Sequence, residues 1–285
     1  MPFDLKLMEL DPIAFAAGVR LVELNAVGST NEEARNRLGE RGPLWITALS
    51  QTRGRGRMGR TWNSPQGNLY ASLVLHDPSP IEQAPELAFV TALAVRDAII
   101  AEAPALEAKL TFKWPNDLLL ADEKCAGILI EGEARFDHAE KFHGLSVIVG
   151  IGVNCMRHPP TALPEEATSL FVGETTSYPA TDLYAHGADV TPEQLFRRLS
   201  ASMVTRIAQW KSGAGLPAIL HAWLATAHCI GEPITVRDLA REKQGRFAGL
   251  DDKGRLLLEL PDGAIQTIAA GDVFPLKKSG GRIVG

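Results

Sequence analysis

The sequence predicts an α+β protein: helices and strands mixed over residues 20–229, then a small β-barrel of SH3-like size over 230–276. Two observations carry the first part. Apolar runs of strand length alternate with capped segments of helical period up to about residue 230. Two of these runs, Leu44 to Leu49 and Leu69 to Leu75, flank a loop holding Arg53, Arg55, Arg57 and Arg60 among Gly54, Gly56 and Gly59. A third observation carries the barrel. Beyond residue 230 the strands become short and are joined by Asp- and Gly-rich turns.

The elements follow in order. Residues 1–19 read as a loosely held leader, and Arg20 to Leu24 as a first strand. Gly28-Ser29-Thr30-Asn31-Glu32-Glu33 opens a helix, with Ser29 and Glu32 spaced as a capping box. A cap accounts for Ser29 and Glu32. Three consecutive polar side chains at one helix mouth could also hold a polar ligand head. Gln51 ends the strand that begins at Leu44, where strand ends commonly meet ligands, although a lone Gln is an ordinary loop residue. Asn68 to Leu75 is the next strand. Pro85 at a first turn starts a helix with Leu87, Val90, Leu93 or Ala94, and Ile99 on its packed face. Leu110 to Phe112, then Leu118 to Leu120, then Lys124 to Glu131 form hairpins, with Pro115 and Asn116 between the first two segments.

Lys124 stands where a polar turn re-enters an apolar strand. Turn lysines are usually solvated, but a lysine leading into such a strand can be drawn inward and then needs an anionic or carbonyl partner. Cys125 reads as a small buried hydrophobe. Leu145 to Val153 is a buried strand ending at Asn154. A proline-containing loop and a polar connection from Gly173 to Asp189 follow. Thr191-Pro192-Glu193 starts a helix as N-cap, N1 and N2, with Phe196, Leu199, Met203, Ile207 and Trp210 facing the core. Leu216 to His228 reads as one more helix. Barrel strands fall at Ile234 to Val236, Gly245 to Leu250, Arg255 to Leu260 and Ala264 to Ile268. The barrel carries no catalytic constellation and reads as a docking or lid module. Residues 277–285 read as a flexible tail.

The arginine–glycine loop has three local readings. Gly54-Arg55-Gly56-Arg57-Met58-Gly59 matches G-x-G-x-x-G, but that fingerprint needs a helix directly after it, and Pro65 and Gly67 forbid one. An arginine–glycine arm for nucleic acid belongs in a basic, disordered setting; this loop lies between apolar strands of a chain with net charge −5. A solvated basic hairpin loop is the plain reading. The chemistry favours a mobile loop closing over an anion: bare backbone takes unusual dihedrals, and guanidinium forks suit phosphate and carboxylate.

The 29 Lys+Arg against 34 Asp+Glu exclude a general nucleic-acid or anionic-membrane binder. Cys125, Cys155 and Cys229 are far apart and form no C-x-x-C pair, so neither a disulfide framework nor a metal site is indicated, and a reducing cytoplasm fits. The start carries acids and no long apolar stretch, and no apolar run reaches membrane-spanning length.

Five motifs then stand in order: Gly28-Ser29-Thr30-Asn31, Gln51-x-x-Gly54-Arg55-Gly56-Arg57, Lys113-Trp114-Pro115-Asn116-Asp117, Lys124-x-Ala126-Gly127-Ile128-Leu129 and Gly150-Ile151-Gly152-Val153-Asn154. Each alone is weak. Together, over about residues 20–275, they resemble the catalytic domain of the biotin protein ligases. That resemblance implies the biotin/lipoate ligase-type α+β domain, a mixed sheet with flanking helices, plus the C-terminal barrel. It implies two steps: biotin's carboxylate attacks the α-phosphate of ATP, giving biotinyl-5′-AMP and pyrophosphate, and a lysine of a biotin carboxyl carrier domain then takes the acyl group. Mg²⁺ would accompany ATP. Biotin-binding roles carry over to Ser29, Thr30, Asn31, Gln51, Gly54, Arg55, Gly56, Arg57, Lys124 and Gly127. ATP and adenylate roles carry over to Arg57, Trp62, Lys113, Asn116 and Asn154. Lys124 and Arg57 would carry the catalysis, with Lys124 stabilising charge on the reacting oxygens. No metal is assigned to the protein itself, and the oligomeric state stays open, a homodimer included.

Two departures from the family pattern bear on function. Some members carry an N-terminal DNA-binding domain, and about twenty residues before the first motif are too few for one, so no repressor role is expected. Met58 stands where some relatives have another arginine. Rival readings are a lipoate or octanoate ligase or transferase, a module that binds biotinyl-AMP without transfer, and a nucleic-acid binder, which net charge disfavours.

Overall fold

A computed structural model describes residues 7–136, 142–156, 178–237 and 242–276. Its larger sheet has seven strands in the order β1-β2-β3-β7-β6-β5-β4. These are β1 Arg20–Val27, β2 Leu44–Gln51, β3 Leu69–His76, β4 Leu110–Lys113, β5 Asp117–Leu120, β6 Glu123–Phe136 and β7 Phe142–Val153. β1 and β2 are parallel, and the helix α2, Thr30–Asn36, lies in the crossover such a pair requires. The remaining neighbours are antiparallel, so the sheet is mixed, as expected.

The two faces follow from the pleat. Alternate residues of a strand point to opposite sides. Leu44, Ile46, Val74 and Ile148 pack with Ala34 of α2 on one face. Trp45, Leu73, Leu75, Val147 and Val149 face the larger core with the helices α3 Leu87–Glu102, α4 Pro192–Trp210 and α5 Leu216–Leu224. Strands covered on both faces read as near-continuous apolar runs, which is how β2, β3 and β7 appear in sequence. α4 begins as the sequence predicts, with a Thr191–Gln194 capping box.

Five expectations change. Residues 7–19 are packed rather than loose. α1, Pro12–Ala16, is capped by the Asp11 side chain, the Asp11 amide donates to Ser200 Oγ of α4 at 2.9 Å, and Met8, Ala14 and Val19 are buried. The Ser29 side chain makes no capping bond. Pro85 lies in a 3₁₀ turn, Ile81–Glu86, and α3 starts after it, with apolar residues buried all around. The last predicted helix stops at Leu224. Phe112 N donates to Thr226 O at 2.9 Å and His228 N to Phe112 O at 2.7 Å, so the following residues pair with the edge of β4. Lastly, a strand is added at the end of the barrel.

That C-terminal unit is a five-stranded antiparallel sheet, consistent with an SH3-like domain. It comprises β8 Pro233–Arg237, β9 Glu242–Leu250, β10 Leu256–Glu259, β11 Ile265–Ile268 and β12 Asp272–Pro275, in the order β11-β10-β9-β8-β12. It is fastened to the larger domain. Trp114 Nε1 donates to Gly254 O at 3.0 Å, and Gly254, with φ +75°, packs its bare Cα against the Phe89 ring of α3. The tail at 277–285 and the Pro159–Pro164 loop lie outside the described residues.

Candidate active site

A cavity of about 470 Å³ opens at the sheet end where α2 begins and β2 ends. The polar mouth of α2 forms one wall. Thr30 N donates to Gln51 Oε1 at 2.8 Å, and Gln51 Nε2 donates to Ser64 Oγ at 2.9 Å. Ser72 Oγ, fully buried on β3, donates to Asn31 Oδ1 at 2.6 Å and lies 2.8 Å from Thr30 Oγ1. Asn31 Nδ2 donates to Glu131 Oε2 at 2.7 Å, and Glu131 in turn meets Arg35 at 3.2 Å. Thr30, Asn31 and Gln51 are therefore held in one network. Glu32 turns away to Arg53 at 3.2 Å, which explains the missing capping box.

The arginine–glycine loop forms the second wall. No helix follows it; a 3₁₀ turn spans Arg57–Gly59, with Met58 at φ +55° and Gly59 at φ +73°. Gly54 is obligatory there, since a Cβ would collide with Trp62 O and Ser64 Oγ. Arg55, Arg57 and Arg60 line the cavity, while Arg53 is an exposed residue at its outside. Arg57 Nη1 donates to Asn116 Oδ1 at 3.0 Å, and Arg60 Nη2 meets Asp272 Oδ1 of β12 at 3.1 Å. Burial pulls the Arg57 pKa down, while Asp272 and Asp117 work against that shift.

Glycines of β6 and β7 make the floor. The Trp62 indole lies on them: a Cβ at Gly152 would stand 2.6–2.8 Å from its ring atoms and one at Gly127 3.0 Å away. The Trp62 N–H has no partner among the described residues. Lys124 Nζ lies 5.2 Å from the centre of an indole ring, within cation–π range.

At the inner end three charges meet. Lys124 Nζ is 2.7 Å from Asp117 Oδ1, and Lys113 Nζ is 3.5 Å from Asp117 Oδ2. Burial alone would push the Asp117 carboxyl up, but the two ammonium groups hold it below its ordinary value. Lys124 is therefore drawn inward to an anionic partner, as its position allowed. Cys125 is buried and its thiol is pushed up to about 12 by desolvation, which marks it as packing.

Ser29, Thr30, Asn31, Gln51, Arg55, Gly56, Arg57, Trp62, Asn116, Lys124, Gly127 and Asn154 all reach the cavity wall. Gly54 stands behind it as a turn residue, and Lys113 is buried away from it. Sequence reasoning left Asp117, Ser72, Glu131, Tyr178 and Asp272 without a role. Asp117 was visible inside Lys113–Asp117. Ser72 and Asp272 carry no local signal, because only chain crossing brings them near the site.

Fold and cavity together define a small-molecule-binding catalytic domain, with an uncharged polar network at one wall and guanidinium and ammonium groups at the others. The comparisons give the particular family. Residues 25–154 match the model of the biotin/lipoate A/B protein ligase family, and residues 229–274 match the biotin protein ligase C-terminal domain. The chain is 39% identical over 254 residues to a biotin–[acetyl-CoA-carboxylase] ligase of Paracoccus denitrificans, covering 86% of this chain and 96% of that one. It is 32% identical to the bifunctional ligase/repressor BirA of Bacillus subtilis, covering 88% of this chain and 71% of that one. A biotin protein ligase from Aquifex aeolicus in complex with biotin and ATP superposes with TM-score 0.70 at 26% identity, over 90% of this chain and 97% of that one. The chain belongs to the biotin/lipoate A/B protein ligase family.

Proposed function

We propose that this protein is an ATP-dependent ligase that activates biotin as biotinyl-5′-AMP and transfers the biotinyl group to a lysine of a biotin carboxyl carrier domain. The carrying observation is the cavity itself, which gathers the Thr30–Asn31–Gln51 network and Lys124, Arg55 and Arg57 on its walls. An uncharged polar ring system suits the first, and a carboxylate meeting a triphosphate suits the second.

In the first step a biotin carboxylate oxygen bonds to the α-phosphorus of ATP, and the bond to the β-phosphate bridging oxygen breaks, releasing pyrophosphate. In the second, the acceptor amine attacks the acyl carbon, AMP leaves with the bonding pair, and the amine loses a proton. Both substrates are anionic, so ammonium and guanidinium groups must bring them together. Lys124 is assigned to the reacting oxygens, and Arg57 to the phosphates. Ser29, Thr30, Asn31, Gln51, Arg55, Gly56 and Gly127 are assigned to biotin, and Trp62, Asn116 and Asn154 to the nucleotide. Gly54 serves by letting the loop turn. Mg²⁺ enters with ATP as part of that substrate. The mixed anhydride is labile in water, and a loop already resting on Asn116 and Asp272 is suited to cover it. No helix among the described residues is long and apolar enough to cross a membrane, and a cytoplasmic setting accords with three free cysteines.

The test is ATP–pyrophosphate exchange with biotin, lipoate and octanoate supplied separately. Biotin-dependent exchange is expected. Exchange with lipoate or octanoate alone would replace the substrate, and silence with all three in folded protein would point to a binding module.

A further inference from the structure

Lys113 has no role in the assignment above. It closes β4 with a side chain 6% exposed, and it does not reach the cavity wall. Its ammonium lies against two rings that stack on each other, 4.8 Å from the centre of Tyr178 and 5.6 Å from that of Phe274 on β12. The segment carrying Tyr178 also fixes the backbone of Lys124. Lys124 N donates to Pro179 O at 2.7 Å, and Thr181 N donates to Lys124 O at 3.0 Å. One structural unit thus holds both lysines on the two oxygens of Asp117.

The charges decide what this does. Asp117 with Lys124 alone is a neutral pair, and a carboxylate 2.7 Å from the ammonium would cancel most of its field at the substrate. Asp117 with two lysines carries a net positive charge, and the exposed part of it is Lys124. Burial draws the Lys113 pKa down and Asp117 opposes that shift. Resting on the ligase reading above, we propose that Lys113 is a positioning residue rather than an ATP ligand: packed against Tyr178 and Phe274, it offsets Asp117 and leaves the Lys124 charge available to the reacting oxygens.

The test compares the full-length wild type with Lys113→Met, whose thioether fills the same space against the two rings. In biotin-dependent exchange kcat falls about tenfold or more while the KM for ATP stays within about twofold. An unchanged kcat, or a KM for ATP that rises as much as kcat falls, overturns the proposal, the latter by restoring a direct ATP contact. If K113M does not fold, Phe274→Leu loosens that packing from the barrel side and is read by the same split. A second readout needs no catalysis. Trace acetic anhydride labels Lys124 more slowly in K113M, because Asp117 then binds it alone, while other lysines label as before; unaltered Lys124 labelling overturns the proposal. If wild-type protein gives no exchange, the reaction assignment fails, and the labelling result still decides the charge arrangement.

Discussion

A single carboxylate organises the inner end of the site. Asp117 is 8% exposed and meets Lys113 and Lys124 at 3.5 and 2.7 Å. Replacing Asp117 by Asn leaves two neighbouring ammonium groups, one of them buried, without the carboxylate that pairs with both. Such a change typically costs about 3–5 kcal/mol. Denaturant unfolding of D117N is expected to show a loss of this size, and wild-type stability would sink the idea. Lys124→Ala makes the opposite separation. Its side chain is partly exposed at the cavity, so the fold is retained while adenylate formation slows by about 10²–10³. Unchanged exchange in folded K124A would count against Lys124 as the charge-bearing group.

At the scale of elements, the site is a meeting of ends. α2 turns its first residues toward the cavity, where Gln51 of β2 accepts from the Thr30 amide and the Ser29 hydroxyl makes no capping bond. β6 and β7 keep glycine at 127 and 152, where any side chain would displace the Trp62 ring. Two of the barrel's contacts differ in kind. At Gly254 the backbone has φ +75° and a Cβ would lie 2.5–2.8 Å from the Phe89 ring. Gly254→Ala is expected to cost about 1–3 kcal/mol through strain and overpacking, read as a lowered Tm. Asp272 instead meets Arg60, which is half exposed, so its ion pair adds about 1 kcal/mol or less to stability. Its effect is local. Asp272→Asn should leave Tm nearly unchanged while trypsin cuts faster within residues 53–60; an unchanged cutting rate would show that the pair does not restrain the loop.

The whole molecule is held at a seam. α5 ends early so that residues 226–228 can pair with β4, and the barrel then packs over Trp114. His228 sits in that seam against the Tyr178 ring. Burial lowers its pKa below the ordinary value, although Asp122 pulls the other way. The unfolded chain therefore takes up this proton first as pH falls through about 6.5, and stability is lost from there downward. Asp117 acts lower: its depressed pKa supplies stability that disappears as pH falls below about 4. Tm should decline between pH 7 and 5, with a shallower decline in His228→Asn. An identical slope in the variant would remove His228 from the account.

Local chemistry determined much of this protein from sequence alone. Strand runs, the Thr191 cap, the helix-breaking Pro65 and Gly67, and the five ordered motifs each act within a few residues, and most of the cavity wall lies in those motifs. Tertiary structure decided what depends on partners distant in sequence. Ser29 and Glu32 have the spacing of a capping box, but the Ser29 side chain makes no capping bond and Glu32 pairs with Arg53, 21 residues on. The segment at 7–19 lies ahead of the first motif and reads as loose, yet Ser200 of α4 holds it. Lys113 shares a motif with Asn116, and only the fold brings Tyr178 and Phe274 against its ammonium. Short-range propensities are written residue by residue, whereas burial and charge balance arise only when separate segments share one space.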